Sequence, residues 1–164
     1  MSQYKNVLMC FGKGEMRLPK QDYPELRTLY NHLGSLPDHA FFNKTIKDSP
    51  KNTDICGFAA PDYRYSEPSS IREIVDLFNI DDDIHAVVCD SLIKNQQTGS
   101  EFIEYGHSED IRNIPFFVRR DLLHHIEFED SPEMFKLCLR SLVRNGKKIY
   151  HIADPLLTKA LVNA

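Results

Sequence analysis

The 164-residue sequence predicts an α+β fold in a single domain, with a mixed or mostly antiparallel sheet packed against about four short helices. Three observations carry the prediction. Four segments open on helix-capping residues and continue with apolar side chains at helical spacing. Strand-like apolar runs fill the intervals. The two kinds of segment alternate without the regular rhythm of βαβ units. The length suits one domain, 1–164, and a composition 41% apolar and 27% charged suits a packed, ordered chain.

In chain order, residues 4–11 read as a buried first strand. Asp22-Tyr23-Pro24-Glu25 has a capping residue three positions before an acid, and Leu26, Leu29, Tyr30 and Leu33 follow at i, i+3, i+4 and i+7, so a helix ending at Gly34 is expected. Weaker strand signals cover residues 40–46 and 54–59. Residues 48–69 carry Pro50, Pro61 and Pro68 around Tyr63-Arg64-Tyr65, which predicts a long irregular surface loop of the kind that often carries function. Ser70 then caps a helix with Ile71, Ile74, Val75 and Phe78 on one stripe.

Residues 84–93 read as a long strand, 94–100 as a hairpin connection and 101–105 as its return. Residues 115–118 and 124–128 are short strand candidates. Ser131-Pro132 opens a helix, because proline in the first turn loses only an amide without an intrahelical partner. That helix runs through Met134, Phe135, Cys138, Leu139 and Leu142 to Asn145-Gly146. Residues 148–152 read as a strand, and Asp154-Pro155 predicts a last short helix carrying Leu156, Leu157, Ala160 and Leu161.

Composition narrows the function classes. A formal net charge of −4 argues against general nucleic-acid binding, which needs a basic excess. The longest apolar runs fall far short of a membrane helix, and no signal-peptide or lipidation pattern is present. Cys10, Cys56, Cys89 and Cys138 form no C-x-x-C pair, and three sit among apolar neighbours, so buried thiols in a reducing cytoplasm are expected.

Charge is segregated along the chain. Residues 81–110 hold eight acids, Asp81, Asp82, Asp83, Asp90, Glu101, Glu104, Glu109 and Asp110, against the single base Lys94. That segment, with Tyr63, Arg64 and Tyr65 of the loop, points to a small cytoplasmic regulatory protein that docks a basic protein partner and has no catalysis of its own. Lys136, Arg140 and Arg144 form a basic helical stripe that could meet the acidic segment of another copy, so self-association is possible in this reading.

The alternative is a small hydrolase or transferase acting on a phosphate-containing substrate. His85 and His125 would serve as acid and base, and Arg119 or Arg120 would stabilise developing charge. No complete cofactor or metal motif is present, so neither is expected: Asp81-Asp82-Asp83 lacks the alternation of an EF-hand. Phe11-Gly12-Lys13-Gly14 follows a strand but continues as neither a P-loop nor a dinucleotide fingerprint, and reads as a tight turn.

Overall fold

The computed structural model describes residues 4, 6–13, 19–31, 36–106 and 113–161. Strands β1 (Val7–Lys13) and β2 (Leu26–Asn31) lead into helix α1 (Asp38–Asp48), followed by β3 (Ile55–Ala59), β4 (Tyr63–Tyr65) and α2 (Ser70–Ile80). The hairpin β5 (Ala86–Asn95) and β6 (Glu101–Glu104) precedes β7 (Phe116–Arg119) and a 3₁₀ turn, Arg120–His125. Helix α3 (Met134–Arg144) and the long strand β8 (Ile149–Leu161) complete the chain. The expected fold class, a single domain with a mixed sheet and about four short helices, is the one the chain adopts.

All eight strands belong to one sheet in the order β2-β1-β3-β7-β5-β8-β4, with β6 paired on β5. β1 runs parallel to β2 and β3, and β5 runs parallel to β8. β7 lies antiparallel between β3 and β5. Five strands, β1, β2, β3, β5 and β8, therefore point one way, and the sheet has a common carboxyl edge and a common amino edge.

Both faces of the central strands are buried, as a sheet covered by helices requires. Along β1, Val7, Met9 and Phe11 face the cluster built by Ile71, Ile74, Val75 and Phe78 of α2. Leu8 and Cys10 face the opposite cluster, which holds Phe42 of α1 with Phe135, Cys138 and Leu142 of α3. In that second layer Phe42, Phe58, Phe116, Phe128 and Phe135 pack with ring centroids 4.9–6.1 Å apart. Gly57 faces the first layer, where a Cβ would come 2.5 Å from Met9 Sδ and from the ring of Phe117.

Four expectations are corrected. The helix expected from Leu26 is strand β2: Leu26 and Tyr30 pack on the α2 side and Leu29 on the other. A spacing of four satisfies a strand's period of two as well as a helix's, and parallel pairing with β1 decides between them. Residues 40–46 are helical in α1, because the stripe from Phe42 to Thr45 outweighs the strand preference of Phe, Thr and Ile. The helix expected from Asp154 is the second half of β8, whose register against β5 shifts between Cys89 and Ser91. At such an irregularity a proline has no ladder amide to withhold. Residues 124–128 comprise the end of the 3₁₀ turn and a stretch, 126–128, that joins no strand.

The stretch 48–69 is not one irregular loop either. It contains β3 at the centre of the sheet and β4 at its edge, paired with β8. Tyr63 and Tyr65 are 1% and 3% exposed, so the tyrosines expected on a docking loop are core residues. Among the described residues, no helix is long and apolar enough to cross a membrane.

Candidate functional site

In open sheets with parallel strands, ligands bind in the crevice beyond the carboxyl ends of the strands. Here β5 reaches that edge as Ala86-Val87-Val88-Cys89-Asp90, and apolar burial on both faces carries Asp90 into the interior with its side chain 4% exposed. The parallel neighbour β8 brings His151 opposite Val88, on the same face of the sheet. His151 Nε2 lies 2.5 Å from Asp90 Oδ1, and its side chain is 26% exposed. A carboxylate only accepts, so the imidazole donates from Nε2.

A second donor fixes the carboxylate. Gly106 N–H donates to Asp90 Oδ1 at 2.9 Å. The approach needs a glycine, because a Cβ at position 106 would stand 2.5 Å from the Cys89 carbonyl oxygen and 3.4 Å from His151 Cδ2. One side of the aspartate is thus held by a main-chain amide and an imidazole.

The carboxyl ends of β1 and β2 are built differently. Gly12 sits one residue before the end of β1, and a Cβ there would be 2.7 Å from Asp38 Oδ2 at the start of α1. Asn31, buried at the end of β2, donates from Nδ2 to Leu36 O at 2.5 Å and to Asp38 Oδ1 at 3.5 Å. These contacts place Asp38 over the main chain of β1 on the α1–α3 side. Asp38 and Asp90 are therefore three strands apart along one edge, about 14 Å at the usual interstrand spacing. An edge of that length suits an extended ligand. Lys13 closes β1, and Gly14 of the expected tight turn lies outside the described residues.

The residues singled out from sequence lie elsewhere. Arg119 is level with Ile55 at the start of β3, and Arg120 N–H donates to Asp54 O, so both arginines stand at the amino edge. His85 joins them there: its carbonyl accepts from Arg119 N–H, and its Nδ1 accepts from Lys148 N–H at 2.8 Å. Desolvation, then Arg119 and Lys147, push the His85 pKa down. His125 lies on the 3₁₀ turn with its ring 4.0 Å from that of His124, and its pKa is lowered by desolvation and by His124 and Lys147. His85, Arg119 and Arg120 come together, therefore, but at the end of the sheet opposite Asp90 and His151.

The acidic segment divides between the two ends of β5. Asp81, Asp82 and Asp83 precede it at the amino edge, whereas Glu101 and Glu104 lie in the hairpin strand β6, with Glu101 Oε1 3.7 Å from Lys94 Nζ. Glu104 and Glu101 are level with Ser91 and Lys94, five and eight residues beyond the start of β5 at Ala86, about 17 and 26 Å along the strand. Arg64 is partly exposed between the two buried tyrosines of β4.

No protein-family model matches the chain, and no curated protein matches its sequence. Similarity appears in the fold. Glucosyl-3-phosphoglycerate synthase from Mycobacterium tuberculosis, in complex with Mn2+, UDP and phosphoglyceric acid, superposes with a TM-score of 0.60 at 10% identity over 97% of this chain and 72% of that one. CMP:2-keto-3-deoxy-manno-octonic acid synthetase complexed with CTP gives 0.51 at 12% identity, over 95% and 90%. Protein A197 from STIV also gives 0.51, at 13% identity over 90% and 82%.

The expectation of a docking protein without catalysis is corrected on these grounds. Two of the similar structures carry a stated activity, as a CMP:2-keto-3-deoxy-manno-octonic acid synthetase and a glucosyl-3-phosphoglycerate synthase. The acids expected to form one docking surface are spread from before the start of β5 to the level of Lys94, with Asp90 buried among them, and the tyrosines expected beside them are buried.

Asp90 was counted in the sequence only among the acids of 81–110, and its pairing with His151 was missed because the two lie 61 residues apart and match no motif. One signal was available: Asp90 is the only charged side chain in residues 86–93, an otherwise mostly apolar run, and a lone acid on a buried strand requires partners.

Proposed function

We propose that the chain is a nucleotide-dependent transferase of the sugar-nucleotide kind, with its donor along the carboxyl edge of the sheet and its reacting phosphates beside Asp90 and His151. The observation that carries the reading is the buried Asp90–His151 pair at that edge, in a fold shared with proteins whose structures hold CTP or UDP. Burying a carboxylate is costly unless it is well hydrogen-bonded, so a pair held this firmly beside solvent suits a reacting centre.

One neighbour was solved with Mn2+. Among the described residues no group of three or more His, Cys, Asp or Glu side chains could hold a metal ion, so a closed protein cage does not fit. A single carboxylate does fit a magnesium-like ion that takes its other ligands from phosphates and water, and Asp90 would hold it. Bound there, the ion would neutralise charge on the phosphates.

The protein's own contribution begins with orientation. Gly106 N–H and His151 fix the plane of the Asp90 carboxylate, and Asp90 in turn fixes the proton on His151 Nε2. His151, its ring oriented by Asp90 and its side chain 26% exposed, is the residue this reading places beside the reacting phosphates. The edge from Asp38 to Asp90 supplies length for the rest of the donor.

Calorimetric titration with CTP, UTP, UDP and UDP-glucose, each with and without Mg2+ or Mn2+, tests the reading. Saturable binding of at least one nucleotide, with loss of at least tenfold in affinity for Asp90→Asn at unchanged melting temperature, is the expected result. Tightest binding of a nucleoside triphosphate assigns nucleotidyl transfer, and tightest binding of the sugar nucleotide assigns glycosyl transfer. Binding by none of the four overturns the proposal.

A further inference from the structure

We infer that the amino edge of the sheet carries a second, separate site, a binding cleft for a phosphate group built by Arg119, Arg120 and Lys51. An open cleft of about 260 Å³ lies between the starts of β1 and β3 and the end of β7, lined by Tyr4, Lys51, Thr53, Asp54, Arg119, Arg120 and Asp121. Three cations face two carboxylates across it. Asp54 is engaged with the scaffold, since its Oδ2 accepts the Asn6 N–H at 2.9 Å.

The arginines are held in place but incompletely bonded. The Arg119 guanidinium sits over the Tyr4 ring, 5.4 Å from its centroid. Arg120 Nη2 reaches Ser49 O at 3.5 Å, the outer limit of a hydrogen bond. Among the described residues, Nε and Nη2 of Arg119 and Nε of Arg120 are buried from solvent with no hydrogen-bond partner. Buried donors without partners are rare, and those of a charged group are the most costly, so three on adjacent arginines call for an acceptor.

The chemistry of the donors selects that acceptor. Nε and one Nη of a guanidinium form the fork that grips an oxyanion through two parallel bonds. A phosphate has enough oxygens to serve both arginines together. Lys51, exposed at the rim, adds a mobile third charge that favours a doubly charged anion over a carboxylate. The cleft is roomier than one ion needs, which leaves space for the body of a small phosphorylated metabolite. Because the site is at the opposite edge from Asp90 and His151, it does not depend on the transferase reading.

The test follows the arginine Nε–H resonances by NMR during titration with inorganic phosphate, with glycerol phosphate, and with sodium chloride at matched ionic strength. Saturable shifts of the Arg119 and Arg120 Nε–H signals with either phosphate compound, but not with chloride, are expected. Tighter binding of glycerol phosphate assigns the cleft to a phosphorylated metabolite, and equal binding assigns it to free phosphate. Lys51→Gln, at an exposed position that leaves the fold intact, should weaken binding about tenfold. Arg119→Lys, which keeps the charge and loses the fork, should weaken it at least as much. Unshifted Nε–H signals, shifts equal to those in chloride, or unchanged affinity in both variants would each overturn the site.

Discussion

Asp90 shows how much one side chain can organise. It is 3% exposed, accepts from Gly106 and His151 through the same oxygen, and sits where the register between β5 and β8 breaks. Gly106 is the positioning residue with the sharpest test. In Gly106→Ala the new methyl group would collide with the Cys89 carbonyl, so the loop must retreat and its amide must leave Asp90. Nucleotide affinity should fall as it does in Asp90→Asn, while the melting temperature drops only modestly. An unchanged affinity would show that the amide does not orient the carboxylate.

The cysteines give a second test at this scale. All four are free and buried. Burial raises the thiol pKa of Cys56, Cys89 and Cys138 from 9.0 to about 12, and raises that of Cys10 as well. A folded-state pKa above the unfolded value contributes stability that is complete below the unfolded value and lost as pH rises through the folded one. Stability to urea should therefore be level up to about pH 8 and decline between 9.0 and about 12. Native protein at pH 8 should resist iodoacetamide, and unfolded protein should take up four equivalents. Rapid labelling of the native chain would contradict the packing of both layers.

Among the elements, the segment after the 3₁₀ turn has the least ordinary support. Asn43 of α1 donates from Nδ2 to Phe128 O and accepts the Phe128 N–H at Oδ1, both at 2.8 Å. One amide side chain thus stands in for the strand partner that residues 124–128 lack, and it holds the Phe128 ring among the other four phenylalanines. Asn43→Ala removes both bonds and leaves two main-chain groups partly buried, at a cost of about 1–3 kcal/mol. Urea denaturation should show that loss without a change in slope. A cost near zero would mean that the phenylalanine cluster alone holds the segment.

Legibility in the sequence follows the strength of local signals. α2 and α3 were readable from a single apolar stripe each, although the expected caps are not made, since neither Ser69 before α2 nor Glu133 before α3 forms a side-chain cap. The β5–β6 hairpin was readable because Asn95 and Gly99 mark its turn. There Gln97 and Thr98 N–H donate to Asn95 Oδ1, and Gly99 has a φ of +71°. β2 and the second half of β8 were misread because the spacing of four from Leu26 to Tyr30 and from Leu157 to Leu161 fits both periods, and only pairing with distant strands separates the two. The site was less legible than the fold. Asp90, Gly106 and His151 meet only through parallel pairing across 61 residues, whereas His85, Arg119 and Arg120 drew notice and belong to the other edge.

Across the whole molecule, one sheet direction separates two chemistries. The carboxyl edge brings Asp90, Gly106 and His151 into close approach, and the amino edge brings Arg119, Arg120 and Lys51 to a cleft that Asp54 and Asp121 also line. Hydrogen exchange on the full chain, with and without its tightest-binding nucleotide, tests that division most directly. Protection is expected at the ends of β1 and β2, around Asp90 and Gly106, and at the start of α1. Protection confined to residues 51–54 and 119–121, or absent at a saturating nucleotide concentration, would contradict a donor site at the carboxyl edge.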